Sequence, residues 1–155
     1  MKTVSTPNAP AAIGPYCQAM IHQGVVYCSG QIGLQPDGQW VQGGVSAQAE
    51  QALKNLGAVL DAAGSQPNRV IRAEIFLQDM NDFAVVNKIY ENFFGEHRPA
   101  RACIEAARLP KDALVEIVDY CYRKFVNLNN EAQKYLELQE KGYKEDIKAT
   151  MNFSK

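Results

Sequence analysis

Two helix-period apolar stripes, each closed by a glycine and separated by a strictly alternating segment, constrain the fold of this chain more than any other feature. Ala49, Ala52, Leu53, Leu56, Leu60 and Ala63 recur at intervals of three and four, which lays one apolar stripe along a helix, and Gly64 supplies its stop. Phe83, Val86, Tyr90 and Phe94 repeat the pattern before Gly95, with Asp79 or Asn81 placed to cap the start. Between them, Val70 to Gln78 alternates. Ile71, Ala73, Ile75 and Leu77 fall on one face, and Arg72, Glu74 and Phe76 on the other, as a half-buried strand requires.

The flanks extend this into a sheet. Cys17 to Ile21 and Val25 to Ser29, joined through His22-Gln23-Gly24, predict a tight antiparallel hairpin. Ala102 to Ala106 and Leu114 to Tyr122 predict two more strands, and Pro110 between them forbids a continuous ladder. The order β-β-α-β-α-β-β puts both helices on one face of one sheet, an α+β two-layer arrangement with right-handed crossovers. The other sheet face, bearing Phe76 and other apolar groups among polar ones, is then bare, a physical reason to expect self-association. After Tyr122 the pattern thins. Ala132, Tyr135, Leu136, Gln139 and Tyr143 trace a narrow stripe broken by Gly142, so residues 1–122 read as the domain and 123–155 as a helical extension.

Charge and composition exclude several classes of function. Sixteen basic against seventeen acidic residues leave a net charge of -1, which gives no global field for a polyanion, so nucleic acid is not an expected partner. The 155 residues contain no apolar run long enough for a membrane span, and the opening Met1-Lys2-Thr3-Val4-Ser5 leads into Pro7 and Pro10 rather than a secretory core; the expectation is a cytoplasmic protein. Cys17, Cys28, Cys103 and Cys121 include no Cys-x-x-Cys pair, and His22 and His97 stand apart, so neither a metal site nor a disulfide framework is expected. Neither a phosphate loop nor a dinucleotide fingerprint occurs, and no cofactor is expected.

A few residues sit where packing alone would not place them. Glu116 shares strand parity with Leu114, Val118 and Tyr120, so a carboxylate interrupts an apolar row and needs a partner or a raised pKa. Arg101 opens a strand after Pro99-Ala100, where a guanidinium can turn into a cleft and hold a carboxylate or phosphate bidentately. A structural Arg101–Glu116 ion pair would explain both equally well. Cys103, two residues on, shares the face of Arg101. It is either a thiol made reactive by that cation or a small buried hydrophobe, and no suitably placed Cys/His pair argues for covalent catalysis. Tyr16, after Gly14-Pro15, is a catalytic phenol or a rim aromatic, and Gly30 in Ser29-Gly30-Gln31 can let a ligand approach the backbone closely.

These segments together resemble a known family. Pro10-Ala11-Ala12-Ile13-Gly14-Pro15-Tyr16, then Ser29-Gly30-Gln31-Ile32, then Asn81-Asp82-Phe83 with Asn87 and Tyr90, are similar to motifs of the RidA (YjgF) family. Pro99-Ala100-Arg101-Ala102-Cys103, Leu109-Pro110-Lys111 and Val115-Glu116-Ile117 continue the likeness in the family's order, over about residues 1–122. The resemblance implies a chorismate-mutase-like fold forming a homotrimer with inward-facing sheets and clefts between subunits. It implies hydrolysis of 2-imino acids such as 2-iminopropanoate and 2-iminobutanoate, released by pyridoxal-phosphate dehydratases, to 2-keto acids and ammonia. It assigns Arg101 to the substrate carboxylate and Glu116 to water, with Tyr16 assisting. Gly30 and Cys103 would offer backbone contacts, and Asn87 and Ser29 would support the pocket.

The chain departs from the family at Val118, where many relatives carry a second acidic residue, and at Arg98, where an apolar residue is common. Two other readings fit the same fold: a small-carboxylate binding module without turnover, and an endoribonuclease or translation inhibitor.

Overall fold

The computed structural model describes residues 1–123. Six strands and two helices follow in the order β1 (Lys2–Val4), β2 (Ala19–His22), β3 (Val25–Cys28), α1 (Gly44–Ala62), β4 (Val70–Leu77), α2 (Phe83–Phe94), β5 (Ala100–Glu105) and β6 (Val115–Tyr122). The strands form one mixed sheet in the order β1-β2-β3-β6-β4-β5, antiparallel except for the β4–β5 pair. The α+β reading with two helices therefore holds. The expected helical extension lies outside the described residues, apart from Arg123.

Each element has a local cause. Gln23 and Gly24 both take positive φ (49° and 80°), the geometry whose twist suits a two-residue hairpin turn between β2 and β3. A parallel neighbour cannot be reached by a tight turn, so β4 passes through α2 before β5. Asp79 accepts a hydrogen bond from the Asn81 backbone N–H at 2.8 Å, opening a short 3-10 turn that feeds α2, and Gly95 ends that helix at φ 61°.

Three sequence expectations need correction. β1 was not foreseen: three residues are too few to display a period, and its strand character comes from pairing Thr3 with Met20. Ile71 was placed on the core face but is exposed, because the ladder between β4 and β6 shifts register between Val70 and Arg72, and Val70 takes the buried place. On β6 the buried row is Val115, Ile117, Asp119 and Cys121, so Glu116 belongs to the half-exposed row and the carboxyl inside the core is Asp119.

α1 and α2 cover one sheet face, and their buried Leu53, Leu56, Val59, Leu60, Val86, Tyr90 and Phe94 join Val26, Ala73, Ile75 and Ile117 in one core. Buried Asn55 crosses out of α1 to hold the loop after β3. It donates to the carbonyls of Ile32 (3.2 Å) and Leu34 (2.8 Å) and accepts from the Gln51 side chain. The opposite sheet face has no covering layer among the described residues. Met20, Tyr27, Tyr120 and Arg72 stand in register across it, with Tyr122 and Ile104 exposed nearby.

Candidate functional site

Glu116 emerges at the middle of β6 opposite Phe76, on the open sheet face. The chain leaving β3 returns beside it, because Gln31 and Ile117 exchange backbone hydrogen bonds of 2.9 and 3.0 Å. That pairing brings Gly30 directly under the carboxylate. A Cβ at position 30 would lie 2.0 Å from Glu116 Oε1 and 2.9 Å from its Cγ, so only glycine fits with the side chain where it stands. Within this chain it is Glu116, and not the expected ligand, that comes close to Gly30. Partial burial raises the Glu116 pKa above its ordinary value.

Tyr16 faces the same cleft of about 60 Å³, whose wall is the Pro10–Ile13 segment. Its hydroxyl accepts a hydrogen bond from the Ile13 backbone N–H at 3.3 Å, and its ring stays half exposed. Gln18 fixes this wall from below: its side chain accepts from the Thr6 N–H at 2.6 Å and donates to the carbonyls of Thr6, Ala9 and Pro10. Sequence reasoning passed over Gln18, since a single buried amide leaves no periodic signal. Ser29 spends its hydroxyl on the Cys17 carbonyl at 2.6 Å, which ties the hairpin end to the chain entering it.

Arg101 lies elsewhere. It pairs in register with Ala73 on the helix-covered face, at the exposed edge strand β5, and its guanidinium sits 4.8 Å from the Tyr90 ring centroid and 5.7 Å from that of Phe83. It lines a cavity of about 320 Å³ with Asn87, His97 and Arg98. The alternative of an Arg101–Glu116 ion pair within one chain is overturned, because the two project from opposite sheet faces and the ion pairs among the described residues are Arg72–Glu74, Lys88–Glu91, Arg98–Glu91 and Arg108–Asp112.

Cys103 shares the face of Arg101, as expected, but burial raises its pKa against the lowering effect of that cation. It packs half-buried against the core, so the reading as a thiol activated by Arg101 is not supported. One chain therefore carries two separate clusters of these residues. Glu116, Gly30 and Tyr16 line one cleft, while Arg101 and Asn87 line another cavity.

The chain is similar to known proteins. A family model described as endoribonuclease L-PSP matches residues 6–122. A 2-iminobutanoate/2-iminopropanoate deaminase of Mus musculus is 52% identical over 117 residues, covering 75% of this chain and 87% of that protein. The deaminase of the same name from Salmonella typhimurium is 48% identical over 126 residues, covering 79% and 98%. Among solved structures, E. coli TdcF with bound serine superimposes with a TM-score of 0.76 at 40% identity, covering 80% of this chain and 100% of that one.

Proposed function

The chain belongs to the endoribonuclease L-PSP family, the RidA (YjgF) family that its motifs resemble, and we infer that it is a deaminase hydrolysing the C=N bond of 2-imino acids. Its substrates are 2-iminopropanoate and 2-iminobutanoate, or the enamines that tautomerise to them. The observation that carries this reading is the identity of about half of the aligned residues to deaminases of that name.

The chemistry asks little of a protein. An iminium carbon is already electrophilic, and the barrier need fall by only a few kcal/mol, each ~1.4 being tenfold in rate. Arg101 holds the substrate carboxylate with two parallel N–H donors, and Glu116 orients one water and takes its proton as the oxygen bonds to C2. The same carboxyl returns that proton to nitrogen, and as the C–N bond breaks the carboxylate takes the remaining hydroxyl proton from the oxygen on C2, so that ammonia leaves and the 2-keto acid forms. Tyr16 borders the cleft where that water stands.

The separation of the two clusters implies how they are joined. A homotrimer of chorismate-mutase-like arrangement, its open sheet faces turned inward, would cover Tyr27, Ile104 and Tyr122 and bring Arg101 of one subunit to Glu116 of the next. Serine bound to TdcF supports a family site that accommodates a small carboxylate. The setting is the cytosol, where dehydratases acting on serine and threonine release such imines.

The direct test adds purified protein to a threonine dehydratase reaction in which imine hydrolysis limits 2-oxobutanoate formation. Acceleration is expected. An unchanged rate from folded protein that still binds 2-oxobutanoate would instead make this a binding module.

Gly30→Ala isolates the acid/base half. The added methyl pushes the Glu116 carboxylate off its place, so kcat/KM should fall on the order of 100-fold while the far-ultraviolet spectrum is unchanged. Wild-type kinetics in that variant would detach Glu116 from the reaction.

A further inference from the structure

Beneath Arg101 the core holds two polar groups for which the deamination chemistry has no use. Arg101, Ala73 and Asp119 stand side by side in register on β5, β4 and β6, all on the helix-covered face. Two strand spacings separate the first from the last, about 10 Å between backbones, and the strand between them contributes only a methyl group. Asp119 is completely buried, and among the described residues neither of its carboxylate oxygens has a hydrogen-bond partner. Tyr90 comes down from α2 onto the same place. Its ring carries the Arg101 guanidinium at 4.8 Å, and its buried hydroxyl also lacks a partner among the described residues. The phenol senses both neighbours: burial raises its pKa most, Asp119 raises it further, and Arg101 opposes them.

Orphaned buried polar atoms are rare in native proteins and call for an account. We propose that Asp119 is a positioning residue for Arg101, acting through the Tyr90 ring, its charge state setting how strongly the guanidinium attracts a ligand carboxylate. The proposal rests on the reading of Arg101 as the carboxylate anchor. With Asp119 neutral, Arg101 keeps its full field and points outward. Once ionised, Asp119 draws the guanidinium back toward the sheet and cancels part of that field.

The charge change falls in an accessible range, since burial pushes the Asp119 carboxyl up to about 8. Among the described residues the titratable and charged groups facing it are few. They are Cys28 on β3, Cys121 on β6, Tyr90 on α2, and Arg101 with Cys103 on β5; the buried residues of α1 and of β4 are all uncharged. Cys28 stays neutral through this range, because its hydrogen bond with Cys121 and its burial push its thiol far up. Cys121 is present in wild type and variant alike, so replacing Asp119 isolates the carboxyl.

The experiment measures kcat and KM for 2-iminobutanoate from pH 6.5 to 9.5 in wild type and Asp119→Asn, together with the Arg101 Nε–H resonance of the ligand-free proteins. In wild type KM should rise about tenfold with a midpoint near pH 8 while kcat stays level, as an unscreened charge some 10 Å away predicts. The Arg101 resonance should move with the same midpoint. Both changes should be missing from Asp119→Asn, or from Asp119→Val should the asparagine fold poorly.

A level wild-type KM, or a rise that survives removal of the carboxyl, would overturn the proposal. Absence of turnover in wild type would sink the deaminase reading instead. The Arg101 resonance would then still decide this one, a pH-independent signal overturning it and a midpoint lost on substitution sustaining it.

Discussion

Mixing two inactive variants, Arg101→Ala and Glu116→Gln, should restore activity. Each alone should lose on the order of 1,000-fold in kcat/KM, Arg101→Ala by removing a charge-assisted bidentate anchor and Glu116→Gln by removing a general acid/base. Within one chain the two side chains project from opposite faces of the sheet and line different cavities. A site that uses both, as proposed, would take them from two chains. When the variants are unfolded together in equal amounts and refolded, each cleft draws its arginine from one subunit and its glutamate from another. About a quarter of the clefts then receive both native residues, so about a quarter of wild-type activity should return. Sedimentation of the mixture should show one species of trimer mass. If the refolded mixture stays inactive while the assembly forms, Arg101 and Glu116 do not share a cleft.

That prediction needs both sequence and structure, and the division between them is physical. The helices were legible because a 3.6-residue period over twelve or more residues leaves an unambiguous stripe, as in Leu53, Leu56 and Leu60. The hairpin was legible from Gln23-Gly24, and motifs in a fixed order singled out Arg101, Glu116, Gly30 and Tyr16 as candidates. Which face of β6 is core was not. Leu114, Val118 and Tyr120 make as apolar a row as Val115, Ile117 and Cys121, and each row carries one carboxylate. Only the packing of α1 and α2 decides that Asp119 goes inward and Glu116 outward. Ile71 failed for a related reason, since a bulge is a property of two paired strands and leaves no mark in one of them. The placement of Arg101 over Tyr90 likewise depends on the β4–β5 register, which neither strand contains by itself.

The inward turn of Asp119 should make this protein unusually sensitive to alkali. In the unfolded chain its carboxyl titrates near the ordinary 3.8, whereas in the fold burial holds it at about 8. Between these values the folded state keeps a proton that the unfolded state has released, so stability falls as pH rises. The slope from this one group is ~1.4 kcal/mol per pH unit, and the loss ceases once pH passes the folded value. Accumulated over the whole interval it reaches on the order of 5 kcal/mol, comparable with the entire stability of a small domain. Glu116, raised by partial burial, adds a smaller loss of the same sign. Urea denaturation at pH 5 and pH 9 should therefore show wild type much weaker at the higher pH. Asp119→Val removes the titrating group and fills its place with a side chain of similar volume, so it should gain several kcal/mol over wild type at pH 9 and far less at pH 5. Equal gains at the two pH values would mean that packing, not ionisation, makes the difference. No gain at either would mean that Asp119 has found a partner in the assembled protein. A variant stable at pH 9 that has also lost the pH dependence of KM would tie the two properties to one carboxyl: the group that weakens the core as it ionises is the group that loosens the hold of Arg101 on its ligand.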